Sequence, residues 1–144
     1  MEMFPARHPL VIPIRGTASD GEFQPFNPAK TSGEVFGTLG LEVPSASLTT
    51  EVEMTYQSGT SVATAVAVGM AGFLLHYVNT RFGQPDHHLV QKKLRTFEGM
   101  SLMFGTLAKK TLRSGYMYVS LQSLRQISED RRWAIFLEIL RLAP

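Results

Sequence analysis

The feature that most constrains this chain of 144 residues is Ser58–Val78, a stretch without a single charged side chain. It opens with hydroxyl residues around Gly59 and becomes apolar from Val62 onward. This order predicts a tight turn that leads into a helix from about Ser61 to Arg81. The helix is apolar almost all round, which is typical of a helix in a protein interior. Other elements must therefore cover it.

Ser61 lies where this turn meets the first turn of the predicted helix. The first N–H groups of a helix have no internal partner and carry a partial positive charge. A hydroxyl at this place can be a plain N-cap. It can also be a nucleophile whose attack creates an oxyanion beside ready donors. The turn alone leaves both interpretations open.

Three apolar segments before the turn predict strands. Leu10–Ile14 is a short apolar run with a proline near its end, and it indicates a strand buried on both faces. Residues 15–34 are rich in Gly, Pro, Ser, Asn and Asp and predict a loop. Apolar residues alternate over Val35–Val43, which predicts a strand that ends at the next proline. The last strand, predicted over Val52–Tyr56, leads directly into the Gly59 turn.

The run GTSVAT, residues 59–64, resembles the nucleophile segment of the subtilisin-like serine proteases, G-T-S-x-[SA]-x-P. Four residues carry the pattern: Gly59, Thr60, Ser61 and Ala63. One position departs from it, because Ala65 stands where the family nearly always has proline. The likeness spans roughly residues 6–82, since the predicted strands resemble the segments that the family places before its serine. The tail is similar to the C-terminal tails of fungal members.

The resemblance implies an α/β fold: the C-terminal portion of a subtilisin-like fold, with few parallel-type strands and a central nucleophile helix. Residues 1–84 would form that part of the peptidase domain, and residues 85–144 a mainly helical extension packed on it. The implied activity is that of a serine endopeptidase, a hydrolase. Ser61 would be the nucleophile, and its backbone N–H would belong to the oxyanion hole. The implied substrate is a protein or peptide.

A serine hydroxyl needs a neighbouring base that a carboxylate orients. The family supplies Asp, His and an oxyanion Asn, all upstream of the serine. Before Ser61 this sequence has one histidine, His8, and one aspartate, Asp20, neither of them in the family's motifs and in reversed order. We interpret His8 as a surface residue and Asp20 as part of a turn. The chain is therefore expected to be inactive alone and to need the upstream half of the domain.

The other histidines do not supply a base. His76 is fifteen residues beyond Ser61, about 22 Å along a helix. His87 and His88, next to Asp86, follow a Gly-Pro break and are interpreted as exposed loop and not as a metal pair. No metal site and no cofactor is expected.

The C-terminal part predicts two helices and a short strand. One helix starts at Leu89, and its apolar positions recur every three or four residues: Val90, Leu94, Phe97, Ser101, Phe104 and Ala108. Tyr116–Val119 is a possible edge strand. The closing helix runs from about Ser128 to Leu142 and aligns four side chains: Trp133, Phe136, Leu137 and Leu140.

Composition limits the classes of function. Hydrophobic residues make up 44% and charged residues 18% of the chain, which therefore is built to bury a core. The absence of cysteine excludes disulfides and thiolate metal sites. Residues 1–80 carry three basic and seven acidic side chains, against eleven and five in the remainder. We interpret the basic tail as a solvated helix face, and aromatic residues at core spacing argue against nucleic-acid binding.

Two other classes remain as alternatives. One is a non-catalytic interaction module, a degenerate protease remnant that binds through its basic tail. The other is a single-pass membrane protein, for which the apolar run Val62–Val78 is, at 17 residues, at the short limit of ~20. A buried helix explains the same composition, so no membrane is expected. The start, MEMFPARHPL, does not resemble a signal peptide, which favours a cytoplasmic location. Exposed apolar surface is expected to drive self-association.

Overall fold

The computed structural model describes residues 5–29, 35–46, 54–110 and 117–142. In this part of the chain the strands are β1 Ile14–Thr17, β2 Phe36–Leu39, β3 Val43–Ser45, β4 Thr55–Gln57, β5 Ala108–Lys110 and β6 Met117–Val119. The helices are α1 Thr60–Asn79, α2 His87–Leu94, α3 Phe97–Leu107, α4 Gln122–Arg125 and α5 Glu129–Arg141.

The main sheet has four described strands in the order β1-β2-β6-β5. β1, β2 and β6 run parallel, and β5 is antiparallel to β6. In the register Phe36 lies between Ile14 on one side and Met117 on the other. The expectation of an α/β fold with parallel strands is confirmed at this level. The predicted edge strand at Tyr116–Val119 is wrong in position, because β6 lies between two neighbours; Tyr116 lies outside the described residues.

Helix α1 packs across β1 and β2 and forms the centre of the core. One face is buried and faces the sheet and the helices α2 and α5: Ala63, Ala67, Met70, Leu74, Tyr77 and Val78. The opposite face is exposed, with Val68 at 66% and Phe73 at 48% of their full accessibility. The expectation of an interior helix is therefore right for one face and wrong for the other.

The first strand is shifted from the prediction. Leu10 is 67% exposed, and of the predicted run only Ile14 belongs to β1. The strand continues through Arg15, Gly16 and Thr17, in a segment whose composition predicts a loop. The reason is tertiary: Asn27 clamps this strand, accepting a hydrogen bond from the N–H of Gly16 at 2.8 Å and donating one to its carbonyl at 2.7 Å.

The strand predicted over Val35–Val43 is two strands. β2 ends at Leu39, and β3 pairs antiparallel with β4 in a separate hairpin, with Pro44 opposite Tyr56. The chain changes direction between them at Glu42, whose φ is 52°. Proline is tolerated inside β3 because this strand has one partner in the described chain and need not donate on both sides. Residues 52 and 53 of the predicted third strand lie outside the described residues.

The predicted helix from Leu89 to Ala108 is also two elements. α2 ends at Leu94, and α3 begins at Phe97, capped by the Thr96 hydroxyl, which accepts from the N–H of Gly99 at 3.0 Å. Ala108 already belongs to β5. The closing helix agrees with the prediction, although Ile139 and not Leu137 or Leu140 joins Trp133 and Phe136 as a fully buried member of its stripe.

Candidate active site

The predicted sequence of strand, sharp turn and helix is present at Ser61. β4 ends at Gln57, and α1 begins at Thr60. Gly59 joins them with φ 147° and ψ 169°, a backbone conformation that is essentially restricted to glycine. Its N–H donates to the carbonyl of Gly40 at 2.8 Å, which ties the turn to the segment that follows β2.

Ser61 is the second residue of α1, and it is exposed. The N-cap is Gly59, and no side chain makes a capping hydrogen bond. The interpretation of Ser61 as a plain N-cap is therefore wrong. Within the described ranges, no residue forms a hydrogen bond with its Oγ.

The first turn of α1, which carries this hydroxyl, also carries backbone N–H donors. The first amide of the helix with a helical partner is that of Ala63, which donates to the carbonyl of Gly59 at 3.1 Å. The amides of Thr60, Ser61 and Val62 meet no acceptor in the described part of the chain. Three N–H groups at a helix N-terminus favour a negative charge close to Ser61.

Gly40 packs against the turn and supports it. The sequence patterns did not identify this residue. A Cβ at this position would lie 2.8 Å from the Cα of Gly16, 2.9 Å from the Cβ of Ala63 and 3.0 Å from the carbonyl oxygen of Gly59. Only a residue without a side chain allows β1, β2 and α1 to approach so closely. The sequence signal was the glycine at the end of an apolar strand, which is too common to single out.

A hollow of about 440 Å³ opens beside the hydroxyl. The hairpin lines one side with Val43, Pro44 and Gln57, and α1 lines the other with Ser61 and Val62. Its walls are mainly apolar side chains without charge. The exposed serine thus borders a space that can receive a small apolar group.

The histidines lie elsewhere. His76 is in the last turn of α1, the turn farthest from Ser61. His8 accepts a hydrogen bond from the N–H of Leu10 at its Nδ1, at 3.2 Å. His87 lies 2.8 Å from the carbonyl of Val78 through its Nε2. None of these contacts is with Ser61.

The expectation that His87 and His88 form an exposed loop is wrong. Both belong to the first turn of α2, and the ring of His87 is half-buried and stacks on Trp133 with a centroid distance of 6.2 Å. His88 is exposed. Asp86 precedes the helix with φ 53° and makes no side-chain cap.

The turn predicted at Asp20 is confirmed. Its Oδ1 accepts from the N–H of Glu22 at 2.9 Å, and Gly21 follows with φ 88°. The carboxylate is occupied in this local turn. In residues 5–29, 35–46, 54–110 and 117–142, no three His, Cys, Asp or Glu side chains come together as metal ligands.

A cluster of charged and polar side chains joins the C-terminal end of α1 to the first residue of α5. Glu129 accepts hydrogen bonds from Arg81 Nε at 2.5 Å and from the Tyr77 hydroxyl at 2.7 Å. Arg81 and then Tyr77 hold the pKa of Glu129 below its usual value. Burial, and next the hydrogen bond to Glu129, raises the pKa of Tyr77. The cluster links two helices and has no contact with Ser61.

One described helix, α1, is long and apolar enough to cross a membrane by length and composition alone. Core helices pass the same test, and 33% of its apolar window is buried inside this protein.

The chain matches no protein-family model, no curated protein and no solved structure. The resemblance to subtilisin-like proteases therefore depends on the residues of the chain itself.

Proposed function

We propose that this chain is the nucleophile-bearing half of a subtilisin-like serine endopeptidase, with Ser61 as the nucleophile. The observation that carries the proposal is an exposed serine in the first turn of a helix, directly after a bend that only glycine adopts readily, beside three N–H groups without an acceptor among the described residues. A capping serine would have its oxygen bonded to the helix, whereas no described residue bonds to this oxygen. The G-T-S-x-[SA] pattern supports the same role.

In the proposed reaction the Ser61 oxygen attacks the peptide carbonyl carbon, and its proton passes to a histidine from the upstream half. The carbonyl oxygen becomes an oxyanion, which the N–H of Ser61 stabilises together with the upstream Asn. The C–N bond then breaks, and the leaving amine takes the proton from the histidine. Water hydrolyses the acyl-enzyme by the same steps, and no cofactor takes part.

The hollow beside Ser61 fits a peptide substrate. Its walls come from the hairpin and from the start of α1, so a side chain next to the scissile bond could rest there. Its volume of about 440 Å³ and apolar lining favour a small or medium apolar side chain. We propose protein or peptide substrates, a cytoplasmic location and no nucleic-acid or membrane partner.

Hydrolysis by the protein isolated from its native cells tests the proposal. The tagged chain is recovered with the components that accompany it, and cleavage of fluorogenic peptides is measured. Ser61→Ala should lower the rate by about a thousandfold or more, as for other nucleophile losses. Thr64→Ala is the matched control, because it removes a hydroxyl one turn further along the exposed face.

Equal rates for the native protein and Ser61→Ala would contradict the proposal, as would the absence of any hydrolysis. The chain of 144 residues alone should be inactive, since Ser61 has no hydrogen-bonded base in its described part.

The second candidate is a non-catalytic interaction module. It is favoured by the lack of a hydrogen-bonded base at Ser61 among the described residues and by the exposed side chains of Val68 and Phe73 on α1. Recovery of the same partner with the native chain and with Ser61→Ala, without any peptidase activity, would support this alternative.

A further inference from the structure

A hollow away from the Ser61 hydroxyl lies between α1, the carboxyl ends of β2 and β6, and the helices α4 and α5. Its volume is about 720 Å³, within the range of ~300–1,000 Å³ typical of small-molecule sites. The lining does not include Ser61. The carboxyl edge of parallel strands is also where ligands usually bind in α/β sheets.

The inner walls of this cleft are apolar. Met70, Val119, Leu124 and Phe136 are buried residues that line it. Thr38 also lines the cleft, and its hydroxyl already donates a hydrogen bond to the carbonyl of Val119 at 3.1 Å. A hydrocarbon chain therefore fits the interior better than a polar group, which would lose hydrogen bonds to water without finding partners.

The charged side chains among the described lining residues are two arginines, of which one is paired with a carboxylate outside the lining. Two arginines line it, Arg125 and Arg132, and no Asp or Glu is among the described lining residues. Arg132 is held by a hydrogen bond from its Nε to the carbonyl of Leu124 at 2.6 Å and by Glu129 at 3.3 Å. Arg125 is exposed, and no partner among the described residues neutralises it.

We propose that this cleft binds a fatty acid, with its hydrocarbon chain between α1 and α5 and its carboxylate on Arg125. Guanidinium groups bind carboxylates through two parallel hydrogen bonds, which a lysine or a neutral donor does not reproduce. The proposal does not depend on the role of Ser61.

Calorimetric titration of the full chain with dodecanoate tests it, and dodecanol is the uncharged comparison. We expect one dodecanoate per chain and binding of dodecanol that is weaker by about tenfold, because a charge-assisted hydrogen bond is lost. Decanoate, two methylene groups shorter, should also bind about tenfold more weakly.

Variants locate the site. Arg125→Gln should lower the affinity for dodecanoate by about tenfold and leave the affinity for dodecanol unchanged. Arg141→Gln is the matched control, since its side chain is 80% exposed and lies outside the cleft. Gln122→Trp, at an exposed lining position, should weaken both ligands because the indole narrows the cleft. Circular dichroism of each variant checks that the fold is retained.

Equal affinity for dodecanol and dodecanoate, or no effect of Arg125→Gln, would overturn the role of the carboxylate. Binding of several molecules per chain that Gln122→Trp does not change would show adsorption to exposed apolar surface and would overturn the site. Loss of peptidase activity in Ser61→Ala with unchanged dodecanoate binding would leave this proposal intact.

Discussion

The bend that precedes the candidate nucleophile requires glycine at position 59, because other residues rarely adopt its backbone conformation. The bend at Gly59, with φ 147°, places Ser61 in the first turn of α1. The N–H of Gly59 donates a hydrogen bond of 2.8 Å to the carbonyl of Gly40, which fixes the bend. The position of the hydroxyl therefore depends on a glycine 21 residues earlier than Ser61.

Gly40→Ala should destabilise the protein by about 1–3 kcal/mol, because the added methyl would overlap Ala63 and the carbonyl of Gly59. The measurement is urea unfolding followed by circular dichroism. Gly69→Ala is the control: it lies in α1 with open space around it, and it should stabilise by about 0.5–1 kcal/mol. Equal effects of both changes would contradict the packing under the turn.

Glu129 makes stability depend on pH. Its folded pKa is lowered by Arg81 first and Tyr77 second, so its contribution is present above the ordinary value of 4.5 and is lost as the pH falls below it. Glu129→Gln should lower the melting temperature by a few degrees near neutral pH, and the difference from wild type should shrink in acid. Glu138→Gln is the control, because the partner of Glu138 in the described part of the chain is the exposed Arg141, at 3.8 Å. A difference that stays constant through the acid range would contradict the role of the carboxylate.

At the residue scale the sequence predicted the strand, turn and helix around Ser61, but not the contacts that support them. The turn at Gly59 and the helical position of Ser61 could be predicted from a run of six neighbouring residues. Gly40 and Asn27 act through contacts with residues far away in sequence, and no local pattern carries that information.

Among the elements, the break between α2 and α3 shows how a side chain ends a helical pattern. The apolar spacing continues across Thr96, but its hydroxyl accepts from Gly99 and donates to the carbonyl of Lys93 at 2.7 Å. These side-chain hydrogen bonds replace those of a continuous helix at this residue, so α2 ends and α3 begins.

Thr96→Ala should cost about 1 kcal/mol, because the first turn of α3 loses its cap. Thr106→Ala removes an exposed hydroxyl that only donates to the carbonyl of Leu102 within α3, and it should be nearly neutral. Urea unfolding of both variants measures the difference. A neutral Thr96→Ala would contradict the capping role.

Helices α1 and α5 could be predicted from their apolar residues. The hairpin of β3 and β4 could not, because the pattern over Val35–Val43 predicts a single strand. The order of the sheet could not, because β6 reaches its place between β2 and β5 through long-range pairing. The start of α2 at His87 was also missed, since the contacts of this ring with Val78 and Trp133 are tertiary.

For the whole molecule, the exposed face of α1 is the feature that sets behaviour in solution. Val68 and Phe73 leave apolar surface open beside the small residues Gly69 and Gly72. Exposed apolar side chains favour association. The proposed upstream half of the domain would cover the side of α1 that carries Val68.

Val68→Lys should therefore reduce self-association of the chain, as measured by sedimentation velocity. Leu89→Lys is the control, since Leu89 is also an exposed apolar residue, 47% accessible, but lies on α2. A native chain that is monomeric at high concentration and melts cooperatively would contradict the expectation.

Labelling of the native protein with a fluorophosphonate is the measurement that tests the role of Ser61 most directly. The reagent bonds to a serine oxygen only where a base activates it, and peptide mapping locates the adduct. We expect one adduct, on Ser61, in the protein isolated from its native cells, and none on the chain alone. An unlabelled Ser61 in an extract whose other serine hydrolases react would contradict its assignment as a nucleophile.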